Sequence, residues 1–492
     1  MPWPLPKEFM LTAMLTADAS CDGSFITGVV STGIYCLPSC RARKPRPENV
    51  VFYQTPVQAR AAGLRACLRC RPDDFERGID PQEQQLEAVL SGLEVREVPT
   101  AAALARRLDV GTSKLHALFR QYLQTTPAEW LNRRRVAQVR RHLLTTPHSV
   151  GHLAFEAGFE SLSAFGMQFR RLCAMTPQGL RALSPGQPFE LSLPPGYPVE
   201  AMLRELGRDV QQTTARTAGT RWTGVLHLSS RPALVRLEFE ARRVRAEVVP
   251  TADWTPADSL ALHTALLRLL GLSTDPRPFE TQLPPHLAAL IAGQSGLRPS
   301  LVPGEFDGLV WAILGQQVRF QTACLFRRRL LERLSQPVLE GLYAPPQATQ
   351  ILTLSVADLR GVGLTCARAE LLLRVAALVA DGSLDLTRLA RGTATGAERT
   401  LRAIPGIGPW TARYVLLRVL GFADVVPLND SALAGELQRF FDLPRLPGAR
   451  QQEVLLAPFA PFRSLATLHF WHRAARRNHA PSHHESTREE FS

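Results

Sequence analysis

LRAIPGIGPWTARYVLLRVLGFADVVPLND, from Leu401 to Asp430, is the stretch around which the rest of the chain can be read. Leu401 to Ile404 predict the end of a helix, and Pro405-Gly406-Ile407-Gly408 a tight hairpin. Pro409 suits the first position of a new helix, where a missing N–H costs nothing. From Trp410 that helix carries Ala412, Val415, Leu416 and Val419 at helical spacing, so one face is expected to be buried. Gly406 and Gly408 permit close approach and unusual dihedrals, which lets the N–H groups of the turn and helix start point at one phosphate. Twenty residues after Trp410, an apolar loop containing Pro427 delivers a single carboxylate, Asp430.

The whole chain has 492 residues, which predicts three to five domains. An apolar fraction of 45% and a charged fraction of 21% are globular values and exclude a disordered chain. No apolar run approaches the ~20 residues that span a bilayer, and MPWPLPKEF lacks the apolar core of a secretion signal. A cytoplasmic, nucleoid-associated protein without membrane contact is therefore expected. The net charge of +13 favours a polyanionic partner, nucleic acid first.

Four of the eight cysteines cluster: Cys36 and Cys40, then 26 residues, then Cys67 and Cys70. Two close pairs can supply four sulfurs to one tetrahedral Zn²⁺, and spacing alone leaves a purely structural knuckle open. The surrounding residues, from DGSFITGVVSTGIYCLPSC to LRACLRCRPD, resemble the N-terminal module of the Ada adaptive-response regulators. That resemblance implies that Cys36 accepts a methyl group from a DNA methylphosphotriester. A zinc-held thiolate stays deprotonated and nucleophilic at neutral pH. Arg41, Arg43, Lys44 and Arg46 follow directly and are expected to clamp flanking phosphates.

Two helical repeats come next. One has Leu104, Ala105, Leu108, Leu115, Leu118 and Phe119 on one face; the other has Val150, Leu153, Ala154, Phe159, Phe165 and Phe169. Between them a long helix carries Arg133, Arg134, Arg135, Arg140 and Arg141. Residues 96–183 hold 13 Lys and Arg against 5 Asp and Glu, so more than half of the excess charge sits in about a fifth of the chain. The order of elements, and EAGFESLSAFGMQFRRLCAMTPQGLR above all, resembles the AraC/XylS-type DNA-binding domain. The resemblance implies promoter DNA as a partner, and RNA polymerase with it. Ser113, Lys114 and His116 are the expected reading face of the first repeat, Ser161 and Ser163 that of the second. Asp109 and Gly111 depart from the family's usual Gly and Ser in the first repeat.

SPGQPFELSLPPGYP reads as a linker. RWTGVLHLSS, ALVRLEFEAR and RVRAEVVPT then alternate like strands, and a helix is predicted around residues 257–271. From Pro303 the pattern is helical. With PGIGP, Trp410, Tyr414 and Asp430, this half resembles the helix-hairpin-helix DNA glycosylases, and within them the AlkA-like 3-methyladenine enzymes. The resemblance implies that Gln316 and Gln317, in LGQQV, lie at the minor groove and help fill the gap left by an extruded base.

Glycosylases that also nick DNA need an amine for a Schiff base with C1′. Their family keeps that Lys where this chain has Trp410, and Lys occurs here only at 7, 44 and 114. Water is therefore the expected nucleophile and an intact abasic site the product, with no cofactor for this half. Asp430 is the expected catalytic carboxylate, opposite an oxocarbenium-like sugar. A cationic alkylated purine leaves without a strong general acid and stacks on electron-rich rings, for which Trp410, Tyr414 and Trp471 are the candidates. Asn429 and Ser431 depart from the family's usual acidic and aromatic neighbours, which bears on the range of accepted bases.

The expected fold is multidomain: a small zinc-bound α/β module over 1–80, an all-α double helix-turn-helix domain over 81–185, an α+β domain over 186–300 and an all-α helix-hairpin-helix glycosylase domain over 301–492. Expected activities are hydrolysis of alkylated purines such as 3-methyladenine and 7-methylguanine in double-stranded DNA, and methyl acceptance from methylphosphotriesters. The rival expectation is a methylation-sensing regulator whose glycosylase-like half only binds DNA. No Pro-Cys-His-Arg run occurs, so removal of methyl from guanine O6 is not expected.

Overall fold

The computed structural model describes residues 5–93, 99–229 and 231–478. Two compact units divide the chain: Met1–Leu93 with Leu104–Leu118, and Glu94–Ala103 with Phe119–Ser492.

In the first unit, β1 (Ile26–Val29), β2 (Ile34–Cys36), β3 (Val50–Tyr53) and β4 (Arg65–Ala66) form a sheet in the order β3-β1-β2-β4. Its apolar content is small, in two clusters: Leu5, Met10, Ala13, Cys21 and Phe25, and then Ile26, Tyr35, Leu37 and Ala59. So few residues bury too little surface to stabilise a domain unaided, which is why a metal is expected to contribute.

The second unit is larger. β5 (Phe189–Ser192), β6 (Ala215–Ala218), β7 (Arg221–Leu228), β8 (Arg231–Phe239) and β9 (Arg243–Pro250) form a sheet in the order β5-β9-β8-β7-β6, with every pair antiparallel. Val235, Leu237 and Phe239 on β8, with Val244, Ala246 and Val248 on β9, are all buried, as period-two alternation requires. Between them Arg236 faces Glu247 across the ladder at 3.3 Å. The three predicted strands are therefore present, with Ser230 outside the described residues.

The predicted linker is different. Within SPGQPFELSLPPGYP, Phe189–Ser192 becomes the edge strand β5, pairing Leu191 with Val244, and Leu191 is fully buried. The Pro and Gly residues shape the turns on either side, while the alternating FELS between them has a sheet edge to complete. Ser192 N–H also donates to the Ala174 carbonyl at 2.6 Å.

As a result one apolar core runs through two regions of the sequence. Val136, Val139 and Leu143 of the long helix Pro127–Thr145 share it with Phe165 and Phe169, with the inner face of the sheet, and with Leu262 and Leu266 of the helix Pro256–Leu269. A second core collects the helices from Glu305 to Leu420, including Leu309, Ile313, Leu372, Leu401, Ala412, Val415, Leu416 and Val419. The face predicted for the helix after the hairpin is thus the buried one. A third core holds the last described helix, Arg463–Asn478, against the helix Ser431–Phe440.

Candidate active site and metal centre

The hairpin forms where the sequence placed it. Helix Ala394–Arg402 ends before Pro405, and Pro409 opens the helix Pro409–Val415, with Gly408 as its cap and no side chain on the cap position. Gly406 has φ 100°, a left-handed value, and an added Cβ would meet Leu371 at 3.2 Å. Five residues of π-helix, Leu416–Leu420, follow directly, an irregularity that turns up often beside functional sites.

Asp430 caps the helix Ser431–Phe440, accepting from Leu433 N–H at 2.9 Å. Its two oxygens have further partners. Trp410 Nε1–H donates to Oδ2 at 3.2 Å, and Trp471 Nε1–H donates to Oδ1 at 2.9 Å. Tyr414 stacks on Trp410 with centroids 5.3 Å apart and planes at 26°, and lies 6.0 Å from the Trp471 ring. The carboxylate and all three candidate aromatics thus converge. All four residues are half-buried. Beneath them Arg418 donates to Glu205 at 2.5 Å; the guanidinium also pairs with the Tyr414 hydroxyl. Tyr414 and Arg418 border a cavity of about 370 Å³ whose other walls include Trp222, Trp311 and Phe320.

Several residues expected to contact DNA have partners within the chain. Gln316 Nε2 donates to the Gly406 carbonyl at 3.2 Å and to Thr411 Oγ1 at 3.1 Å, so it braces the hairpin. Gln317, left-handed at φ 51° and exposed, is the one that projects outward. Ser161 caps the helix Leu162–Cys173 through Ala164 N–H, leaving Ser163 exposed on that helix. In the other unit Ser113 and His116 are exposed, whereas Lys114 Nζ is engaged by Gln82 Oε1 at 2.7 Å. Lys44 Nζ is turned inward, donating to the carbonyls of Met14 and of Cys40, the latter at 2.8 Å. Arg41, Arg43 and Arg46 remain exposed, Arg46 in a loose pair with Glu48. An ammonium on a long stem takes whichever carbonyl or amide the fold brings near, and the sequence alone does not say which that is.

The four cysteine sulfurs all lie within 4.8 Å of one another. Tetrahedral Zn–S bonds of about 2.3 Å require sulfur separations of about 3.8 Å, so the donor set fits one Zn²⁺ with little closure. Cys40 and Cys67 are buried; Cys36 and Cys70 are partly exposed. Four thiolates this close repel one another. A divalent ion supplies the charge that lets all four ionise. The cluster is therefore the binding site of one Zn²⁺. Around it, Asp22 accepts from Ser39 N–H at 3.0 Å and Ser39 Oγ–H at 2.6 Å, fixing the turn between Cys36 and Cys40. Nothing in the spacing of Asp22 announced that role.

The arginines of the long helix also surprise. Arg133 pairs with Glu129, Arg134 lies over Trp130, and Arg135 over Phe159. Arg140 Nη2 donates to His263 Nδ1 and to Thr264 Oγ1, both at 2.9 Å. Because His263 Nε2 meets the Cys173 carbonyl at 2.7 Å, the ring is the neutral tautomer that donates from Nε2 and accepts at Nδ1. Burial pushes His263 down to about 3, with Arg140 adding to the effect. Among the described residues no helix is long and apolar enough to cross a membrane.

Comparison with known proteins agrees with this layout. Residues 10–73 match the family "Metal binding domain of Ada", and residues 104–182 match "Helix-turn-helix domain". Over 481 residues, 93% of this chain and 95% of the relative, the chain is 29% identical to a probable bifunctional transcriptional activator/DNA repair enzyme AlkA of Mycobacterium tuberculosis. It is also 29% identical over 277 residues to DNA-3-methyladenine glycosylase 2 of Escherichia coli, covering 51% of this chain and 93% of that protein. Among solved structures, the 3-methyladenine DNA-glycosylase of Archaeoglobus fulgidus aligns with a TM-score of 0.53 at 22% identity, over 59% of this chain and 100% of its own, which shows a shared fold.

Proposed function

We propose that this chain, which joins an Ada-type metal-binding domain and a helix-turn-helix domain to a helix-hairpin-helix glycosylase fold, is a DNA alkylation repair enzyme and transcriptional activator. Its excision half hydrolyses the N-glycosidic bond of alkylated purines such as 3-methyladenine and 7-methylguanine in duplex DNA. The observation that carries this reading is Asp430, fixed by two indole N–H donors beside Tyr414 and the hairpin.

The arrangement of residues supports each step of this reaction. Hairpin N–H groups around Gly406 and Gly408 bind a backbone phosphate. An extruded cationic base stacks on the Trp410–Tyr414 pair, which selects charge and flatness. As the C1′–N bond breaks, its electrons leave with the base, and the Asp430 anion stabilises the positive sugar. Water then adds to C1′ and loses its proton, leaving an abasic site. Trp410 occupies the place of the lysine in glycosylase/lyases, and no lysine lies beyond residue 114, so the enzyme is monofunctional.

In the metal-binding domain, the Cys36 sulfur attacks the methyl carbon of a methylphosphotriester. The S–C bond forms, the C–O bond breaks, and the phosphodiester departs as an anion. A Zn²⁺ held by Cys36, Cys40, Cys67 and Cys70 would keep the Cys36 sulfur deprotonated. Partial exposure of Cys36 leaves it accessible to a phosphate held by Arg41, Arg43 and Arg46. The helix-turn-helix domain binds promoter DNA, and RNA polymerase is its partner in activation.

Asp430→Asn tests the excision reading. The isosteric amide keeps the fold but removes the charge, so release of 3-methyladenine from methylated duplex is expected to fall by at least about a hundredfold. Near wild-type release by the folded variant overturns the assignment.

A further inference from the structure

The loop that delivers Asp430 is tied at both ends to the terminal helix Arg463–Asn478. At its far end Trp471 donates to Asp430. At its near end the Asp424 carboxylate accepts from Arg463 Nε at 2.6 Å and Nη2 at 2.7 Å, and Val425 N–H donates to Ser464 Oγ at 3.0 Å. One polar group of the near end has its partner elsewhere. The Asp424 N–H donates to Gln124 Oε1 at 2.9 Å, from a residue 300 positions earlier.

Gln124 sits between the helices Thr112–Leu123 and Pro127–Thr145, in a left-handed conformation with φ 54°. It belongs to the stretch matched as a helix-turn-helix domain, yet its mounting is part of the excision half. Three residues on, the long helix begins, and that helix is locked into the sheet region by the shared apolar core and by the Arg140–His263–Cys173 chain of hydrogen bonds. The glutamine is therefore held by a rigid body. Arg463 fixes the side chain of Asp424, and Gln124 fixes its peptide, so the two constrain different directions of the same residue.

We infer that Gln124 is a positioning residue for excision: it pins the start of the catalytic loop so that Asp430 lies between the two indoles. The inference rests on the excision reading above. Water satisfies a lone N–H about as well as a glutamine does, but it is not anchored. Small displacements of a catalytic group cost rate steeply, whereas they cost overall stability little.

The test uses full-length protein. Gln124→Met keeps length and volume but removes the acceptor; Gln124→Glu keeps an acceptor at the same reach. Single-turnover release of 3-methyladenine from methylated duplex is measured, with the substrate concentration for half-maximal rate, urea unfolding, and binding to a duplex carrying an abasic-site analogue. Gln124→Met is expected to lower the maximal rate by about tenfold. Half-saturation, analogue binding and the urea midpoint are expected to stay near wild type, and Gln124→Glu to restore most of the rate. Wild-type rates in Gln124→Met overturn the inference, as does a loss that tracks the urea midpoint and that Gln124→Glu fails to restore. An inactive wild-type protein overturns the excision reading instead, and this inference falls with it.

Discussion

Trp471 Nε1 and Asp430 Oδ1 are 2.9 Å apart although 41 residues separate them in the chain. The indole arrives on the terminal helix and the carboxylate on a loop held by that same helix, so the last helix builds the site from both sides. A second indole, from Trp410, holds the other oxygen. The two indole donors, with Leu433 N–H, fix the plane of the carboxylate.

Trp471→Phe keeps an aromatic ring on this helix but deletes the N–H donor along with one ring of the indole. A hydrogen bond to a charged group is worth about 1.5–3 kcal/mol, so the rate of base release is expected to fall by about tenfold or more, with abasic-analogue binding little changed. Trp410→Phe is expected to act in the same direction. Single-turnover kinetics of both variants check this; an unchanged rate in each removes the indoles from any part in holding Asp430.

His469 makes a different kind of prediction. It is fully buried, neither ring nitrogen has a partner, and its ring lies 5.5 Å from Phe279. Burial, with His472 nearby, pushes its pKa down to about 3. Above about pH 6.5 the ring is neutral folded or unfolded and contributes nothing to pH dependence. As pH falls from there toward 3, the unfolded chain takes up a proton that the folded chain refuses, so stability drops by about 1.4 kcal/mol per pH unit. His469→Phe is expected to stabilise by about 1 kcal/mol at pH 7, by relieving unpaired polar atoms, and by about 2 kcal/mol more at pH 5. Urea unfolding of both proteins at the two pH values checks it, since the gap must widen on acidification.

Zinc removal should separate the two units. The first has a small apolar centre and a four-sulfur site, while the second contains the large cores. Chelation is expected to open residues 1–93 to proteolysis and abolish methyl acceptance at Cys36, leaving base release by the second unit near its starting rate. Equal protection of residues 1–93 with and without chelator contradicts a stabilising metal.

How much of this was legible beforehand depended on whether the cause was local. The hairpin at Pro405–Gly408 follows from glycine and proline dihedrals, and the cysteine cluster from spacing within two short turns. Asp430 with Trp410, Tyr414 and Trp471 came from a family resemblance that already encodes a tertiary fact. Least legible were the places where side chains find distant partners. Lys44 and Lys114 are long enough to reach several acceptors, and only the folded chain brings Met14 and Gln82 to them. Phe189–Ser192, flanked by turn formers, looked like linker because a strand four residues long shows its identity only when an edge is offered.

By itself the sequence determined the local chemistry: four closely spaced thiols, a glycine-proline hairpin, no lysine beyond residue 114 and a carboxylate twenty residues beyond an indole. Those follow from residue type and short spacing, which survive in any fold. Only the tertiary structure decided that the long arginine-rich helix is built into the excision half through Arg140 and His263, and that Gln124 meets Asp424. Such pairings join residues more than a hundred positions apart, and their free energy arises from burying both partners together, a condition that no local pattern of residues records.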